Sequence, residues 1–220
     1  MRDYSSNFYY YGEPSISTIE KASPEVFLFC YDNDMAKFLI LHGTGATPES
    51  NWFMWLKGIL IGQGHEVWLP QLPGADKPDA ETYTKFLLSN NKFTCDDQTI
   101  IIGHSSGSVE ALYLLQHLPE TTVIKAALLV SAFRDDLNWD SLKGLFKEPF
   151  NFYTIKEHCQ RFVFVHSDDD PYVPIEQAEF LAIETGGELL TFEGQGHFNT
   201  ELSPDYKQFS KLLDIIKDIV

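Results

Sequence analysis

A serine stands between two glycines in Gly103-His104-Ser105-Ser106-Gly107, directly after the apolar run 100–102. Glycines at those two positions admit a strand-to-helix turn too sharp for flanking side chains. Such a turn lifts the Ser105 hydroxyl onto the edge of a sheet. It also sets the unpaired N–H groups of a helix N-terminus beneath that hydroxyl. The plainer reading is a glycine turn in which Ser105 only caps the helix.

A serine hydroxyl is a weak nucleophile and needs a base. The chain has seven histidines. His65, His117, His158 and His166 read as surface or structural residues. His197 differs, because "GQGHFN" places it in a glycine-flanked loop between the last predicted strand and the last helix. An imidazole used as a base needs an orienting carboxylate. "HSDDDPYVP" offers Asp168, Asp169 and Asp170, of which only one can face His197. Asp170 is the choice, since Pro171 and Pro174 stiffen the chain just after it. Acyl chemistry also needs donors for an oxyanion. The backbone amides of Ser106 and of Thr44, the latter in "HGTG", are placed to supply them. Candidate pocket residues are His42 and His104 at strand ends, Trp52 beside the Thr44 loop, Tyr172 and Phe198.

These residues must be positioned by the elements around them. Short apolar strands at 37–42, 66–70, 99–103, 124–132, 161–166 and 188–193 alternate with helical segments at 51–64, 79–90, 105–118, 175–185 and 203–220. That alternation predicts an α/β fold, a mostly parallel central sheet with helices on both faces. In such sheets sites form beyond the carboxyl ends of the strands, where Ser105, Asp170 and His197 all fall. "VFLFCY" at 26–31 suggests an added strand or hairpin. The chain thus divides into an N-terminal extension, 1–36, and a main domain, 37–220.

Composition narrows the classes. The formal charge of −16 opposes binding to nucleic acid or to an anionic membrane surface. Three widely spaced cysteines, Cys30, Cys95 and Cys159, form no metal-binding or disulfide pattern and read as reduced thiols. No apolar run is long enough to span a bilayer, and the first residues lack the core of a signal peptide. The expectation is a cytoplasmic protein with no metal and no cofactor. Oligomeric state and protein partners are not readable.

Taken together, "LHGTGATPESNWFMWLKGIL", "EVWLPQLPGADKPD", "IIIGHSSGSVEAL", "VHSDDDPYVP" and "GQGHFN" resemble the small α/β-hydrolases of the YdeN and retinoblastoma-binding-protein serine-hydrolase type. The resemblance covers roughly residues 37–217. Its more particular marks are the pair Asn51-Trp52 and the run from Pro70 to Pro73. It implies an α/β-hydrolase fold with a minimal lid, and a triad of Ser105, Asp170 and His197. It also implies hydrolysis of small esters or amino-acid amides. On this reading the partner is a small-molecule acyl substrate: an ester, a thioester or an activated amide. The alternative is a non-catalytic binding protein on the same scaffold. The stretch 134–159 lies where larger hydrolases insert a lid. There Phe146, Phe150, Phe152 and Tyr153 either roof the site or pack on the sheet.

Overall fold

The strands are short because each needs only to cross one buried layer. In Thr99–His104 every residue is buried, and the same holds for Ala126–Val130 and Phe162–Ser167. Side chains alternate across a strand, so each strand feeds two cores. Leu39, Leu41, Ile101, Ala127, Leu129 and Phe164 face one side. Phe38, Ile40, Ile100, Ile102, Leu128, Val130 and Val165 face the other.

The structure is a computed structural model that describes residues 35–220. Six parallel strands are β1 (Lys37–Leu41), β2 (Glu66–Trp68), β3 (Thr99–His104), β4 (Ala126–Val130), β5 (Phe162–Ser167) and β6 (Glu188–Phe192). They form one sheet in the order β2-β1-β3-β4-β5-β6. Register runs, for example, Leu39 to Ile101 and Ile101 to Ala127. The helices are α1 (Phe53–Gly62), α2 (Ala80–Leu88), α3 (Ser106–Gln116), α4 (Phe152–Glu157), α5 (Ile175–Thr185) and α6 (Ser210–Lys217). Residues of α1 and α6 pack on one face of the sheet, and residues of α2 to α5 on the other. This is the expected architecture. The expected added strand or hairpin at 26–31, and Cys30, lie outside the described residues. Cys95 and Cys159 are free, and burial pushes their thiols up to about 11 and about 12.

The connection after β1 runs to α1 on one face, and the connection after β3 runs to α3 on the other. The crevice between these two strand ends is therefore a topological switch point, the usual place for a ligand in an open parallel sheet. His42-Gly43-Thr44 and Ser105 border it.

Two segments depart from the sequence expectation. The last helix is not continuous from 203. A short 3₁₀ turn, Pro204–Lys207, stops at Gln208, which is extended, and Phe209, which is also non-helical, and α6 begins afresh at Ser210. Phe209 is thereby free to stack on Phe198, with ring centroids 5.1 Å apart. The stretch after β4 holds a 3₁₀ segment, Asp140–Phe146, followed by α4. Phe146, Phe150 and Phe152 pack against core clusters, whereas Tyr153 is 71% exposed, so these aromatics cover the fold rather than roof the site.

Candidate active site

Ser105 adopts φ 55° and ψ −124°, a left-handed conformation for a side chain that has no glycine freedom. Strain of this kind costs on the order of 1–3 kcal/mol and persists only where the surroundings enforce it. Here they do. The Ser105 amide donates to the Val130 carbonyl at 2.9 Å, which ties the turn to β4. A Cβ at Gly103 would lie 2.5 Å from Ser108 Cα, and one at Gly107 would lie 2.2 Å from the Leu41 carbonyl oxygen. Both flanking positions are therefore closed to any side chain. At Gly43 a Cβ would sit 3.0 Å from Ser105 Cβ, so the loop after β1 lies directly against the serine.

Thr44 and Ser106 meet across the switch point, with Thr44 Oγ1 donating to Ser106 Oγ at 3.0 Å. Neither backbone N–H donates to another group among the described residues. Ser106 opens α3, where the first amides have no intrahelical acceptor. Two unpaired donors thus stand beside the strained serine.

His197 Nδ1 lies 2.8 Å from Asp170 Oδ2, and both side chains are nearly or wholly out of solvent. An ionised carboxylate can only accept, so Nδ1 donates to it, and in the neutral imidazole Nε2 then carries the lone pair. Burial pushes the Asp170 carboxyl up. The His197 hydrogen bond and charge, with the amides of Tyr172 and Val173 on Oδ1 at 3.0 and 3.1 Å, outweigh that and hold it below the usual range. Oδ2 also accepts from Ser131 Oγ at 2.9 Å. Sequence reasoning missed Ser131. Its signal was there: a small hydroxyl residue ending the apolar strand "AALLV" on the same rim as Ser105.

The other two aspartates have separate tasks. Asp168 Oδ1 accepts from the Gly194 amide at 2.9 Å, and Asp169 Oδ1 from the Gly196 amide at 2.7 Å. Between them, the Gln195 amide donates to Ser167 Oγ at 2.8 Å. His104 Nε2 donates to the His197 carbonyl at 2.9 Å, and Trp52 Nε1 to the Phe198 carbonyl at 3.0 Å. Asn51 Oδ1 accepts from both the amide and the hydroxyl of Thr200 at 3.0 Å. The chain on either side of His197 is therefore gripped by side chains from the ends of β3 and β5 and from the segment leading into α1. Such pre-organisation fixes the imidazole before any substrate arrives.

Two cavities share Ser105, Thr44, His197, Asn199 and Glu201. One, about 390 Å³, is polar, with Thr47, Glu49, Ser50, Asn51 and Lys207 in its wall. The other, about 280 Å³, is bounded by Phe133, Leu137, Trp139, Leu142, Tyr172 and Val173. Of the expected pocket residues, His104 and Tyr172 border these spaces. His42, Trp52 and Phe198 do not, since each is wholly buried. His42 Nε2 accepts from the Leu72 amide at 3.0 Å and so braces the 70–73 run. Trp52 and Phe198 form the floor beneath His197 with Phe209. The apolar liners Leu137, Trp139 and Leu142 were missed, because no local pattern separates them from core. Among the described residues no group of three or more His, Cys, Asp or Glu side chains is placed to hold a metal ion, and no helix is long and apolar enough to cross a membrane.

Comparison with known proteins places this chain in a family. The serine hydrolase family model matches residues 38–216. The chain is 29% identical over 183 residues to serine hydrolase RBBP9 of Rattus norvegicus, covering 81% of this chain and 91% of that one. It is 28% identical over 160 residues to YdeN of Bacillus subtilis (strain 168), covering 72% and 84%. The solved structure of the B. subtilis ydeN gene product superposes with a TM-score of 0.78 at 24% identity, over 84% of this chain and 98% of that one. Mouse alpha/beta hydrolase domain-containing protein 10 superposes with a TM-score of 0.58 at 14% identity, covering 84% and 90%. The chain belongs to the serine hydrolase family and has the α/β-hydrolase fold.

Proposed function

We propose that this serine hydrolase cleaves small carboxylic esters, thioesters or activated amides through an acyl-enzyme on Ser105. One observation carries the reading. His197, paired at 2.8 Å with the buried Asp170, borders the same two cavities as a serine held in a strained turn.

Ser105 Oγ attacks the substrate carbonyl carbon while its proton passes to His197 Nε2. The carbonyl electrons move onto oxygen, where the amides of Thr44 and Ser106 receive the charge. One such donor is worth ~3 kcal/mol in the transition state. Collapse of that intermediate breaks the bond to the leaving group, which takes the proton from the imidazolium. A water then repeats the sequence on the acyl carbon, with His197 as base, and releases the acid and free Ser105. Asp170 keeps the imidazole in the Nδ1–H tautomer and offsets its transient charge.

The test is a hydrolysis panel of short acyl esters, thioesters and amino-acid amides, run with wild type and Ser105→Ala. Turnover of one class by wild type, reduced by several orders of magnitude in the variant, is expected. Turnover that survives in Ser105→Ala overturns the assignment.

A further inference from the structure

The 280 Å³ cavity owes its apolar wall to the strap that follows β4, and that strap is fixed at both ends. At its start the Arg134 amide donates to Gln177 Oε1 at 2.9 Å, and Gln177 Nε2 donates to Asp135 Oδ2 at 3.0 Å, which ties the strap to α5. Leu137 and Asn138 follow in left-handed conformations, φ 50° and 61°. Their amides donate to the side chains of Asp135 and Asp136, both at 3.0 Å, and the Trp139 amide donates to the Asp136 carbonyl at 2.7 Å. At its far end Leu142 and Leu145 are buried. Gly144 lies so close to the α2 entry that a Cβ there would meet the Pro78 carbonyl oxygen at 2.5 Å.

This bracing presents Trp139 at a set position. Its indole stands edge-on to Tyr172, centroids 6.1 Å apart, and Tyr172 stands edge-on to His197 at 5.1 Å. An indole left 46% exposed next to a reaction site is a cost to the free protein that an apolar ligand would offset. No lysine or arginine lines this cavity, and its one carboxylate is that of Glu201, so nothing there would receive a carboxylate or phosphate. The polar cavity that also borders Ser105 suits the group that leaves and the water that enters. The apolar one suits the group that stays bonded to Ser105 between the two half-reactions.

We infer that Trp139 is a specificity-determining residue that closes an apolar acyl pocket, so that the substrates are esters or amides of short, uncharged, apolar acids. This rests on the hydrolase reading above and deepens it. Tyr172, between Trp139 and His197, forms the inner wall, and Leu137 and Leu142 form the sides.

The experiment compares wild type, Trp139→Ala and Trp139→Phe on p-nitrophenyl esters from acetate to decanoate. In parallel, the rate of Ser105 labelling is measured with p-nitrophenyl alkylphosphonates carrying a short or a long alkyl chain. In wild type kcat/KM falls by about tenfold or more once the chain outgrows the pocket. In Trp139→Ala the long-to-short ratio rises by about tenfold, and Trp139→Phe falls between. A ratio unchanged in both variants, in turnover and in labelling, overturns the inference while leaving the hydrolase reading intact. If wild type turns over no ester and Ser105 takes up neither phosphonate, the hydrolase reading itself falls, and the pocket assignment with it.

Discussion

His104, the residue just before Ser105, donates from Nε2 to the backbone carbonyl of His197 at 2.9 Å, and the two imidazoles lie 4.9 Å apart. The turn that carries Ser105 and the loop that carries His197 are thus joined by one buried hydrogen bond. His104 Nδ1 is buried without a partner among the described residues.

The burial of His104 predicts acid sensitivity. Burial, with His197 nearby, pushes the His104 imidazole down to about 3, and burial lowers His42 and His166 as well. The unfolded chain binds protons at these positions below pH ~6.5, and the folded protein refuses them. The stability they contribute is complete above pH ~6.5 and is lost as pH falls toward the folded values. Each such group adds a slope of up to ~1.4 kcal/mol per pH unit. Urea unfolding between pH 7 and pH 4.5 should show this decline, and His104→Gln should flatten it. Equal stability across that range would contradict the assignment.

The three adjacent aspartates should separate kinetically. Asp170→Asn removes the acceptor that sets the His197 tautomer and should lower kcat by about 10⁴-fold. Asp169→Asn disturbs the Gly196 amide contact and should cost no more than about tenfold, with a lower Tm. Comparable losses in the two variants would mean that the acid has been misassigned.

Ser131 should matter through Asp170. A hydrogen bond to a charged group contributes ~1.5–3 kcal/mol, so its loss should lower kcat/KM by roughly 10–100-fold. Ser131 has φ 49°, so Ser131→Ala keeps the backbone strain that serine already bears, whereas Ser131→Gly relieves it. Both should lose activity, and Ser131→Gly should lose less stability. Full activity in Ser131→Gly would remove Ser131 from the account.

Two glycines should respond in opposite directions. Gly107→Ala forces a methyl into the Leu41 carbonyl and should destabilise by ~3 kcal/mol or more. Gly58 lies inside α1, where an added methyl would meet nothing within 4 Å. Gly58→Ala should therefore stabilise by ~0.5–1 kcal/mol. Denaturation midpoints decide both.

The strands and the serine turn were legible in the sequence because their causes are local. A β-branched run such as "TIII" and two glycines around Ser105 carry their own physical reason. The partners of His197 were less legible, because their demands are tertiary. Nothing near Asn51, Trp52, Asp168 or Asp169 tells which distant amide or carbonyl each will meet. The break at Gln208 and Phe209 is of the same kind. The segment has a helical pattern throughout, and it is interrupted where Phe209 packs on Phe198 and Tyr206 Oη donates to Gln195 Oε1 at 2.7 Å.

The most direct measurement is the site and rate of fluorophosphonate labelling at neutral pH, read by peptide mass on folded wild type, Ser105→Ala and His197→Ala. The account predicts one adduct, on Ser105, absent from Ser105→Ala and slowed by several orders of magnitude in His197→Ala. An unlabelled Ser105 in folded wild type, or labelling that proceeds equally fast without the His197 imidazole, would contradict it.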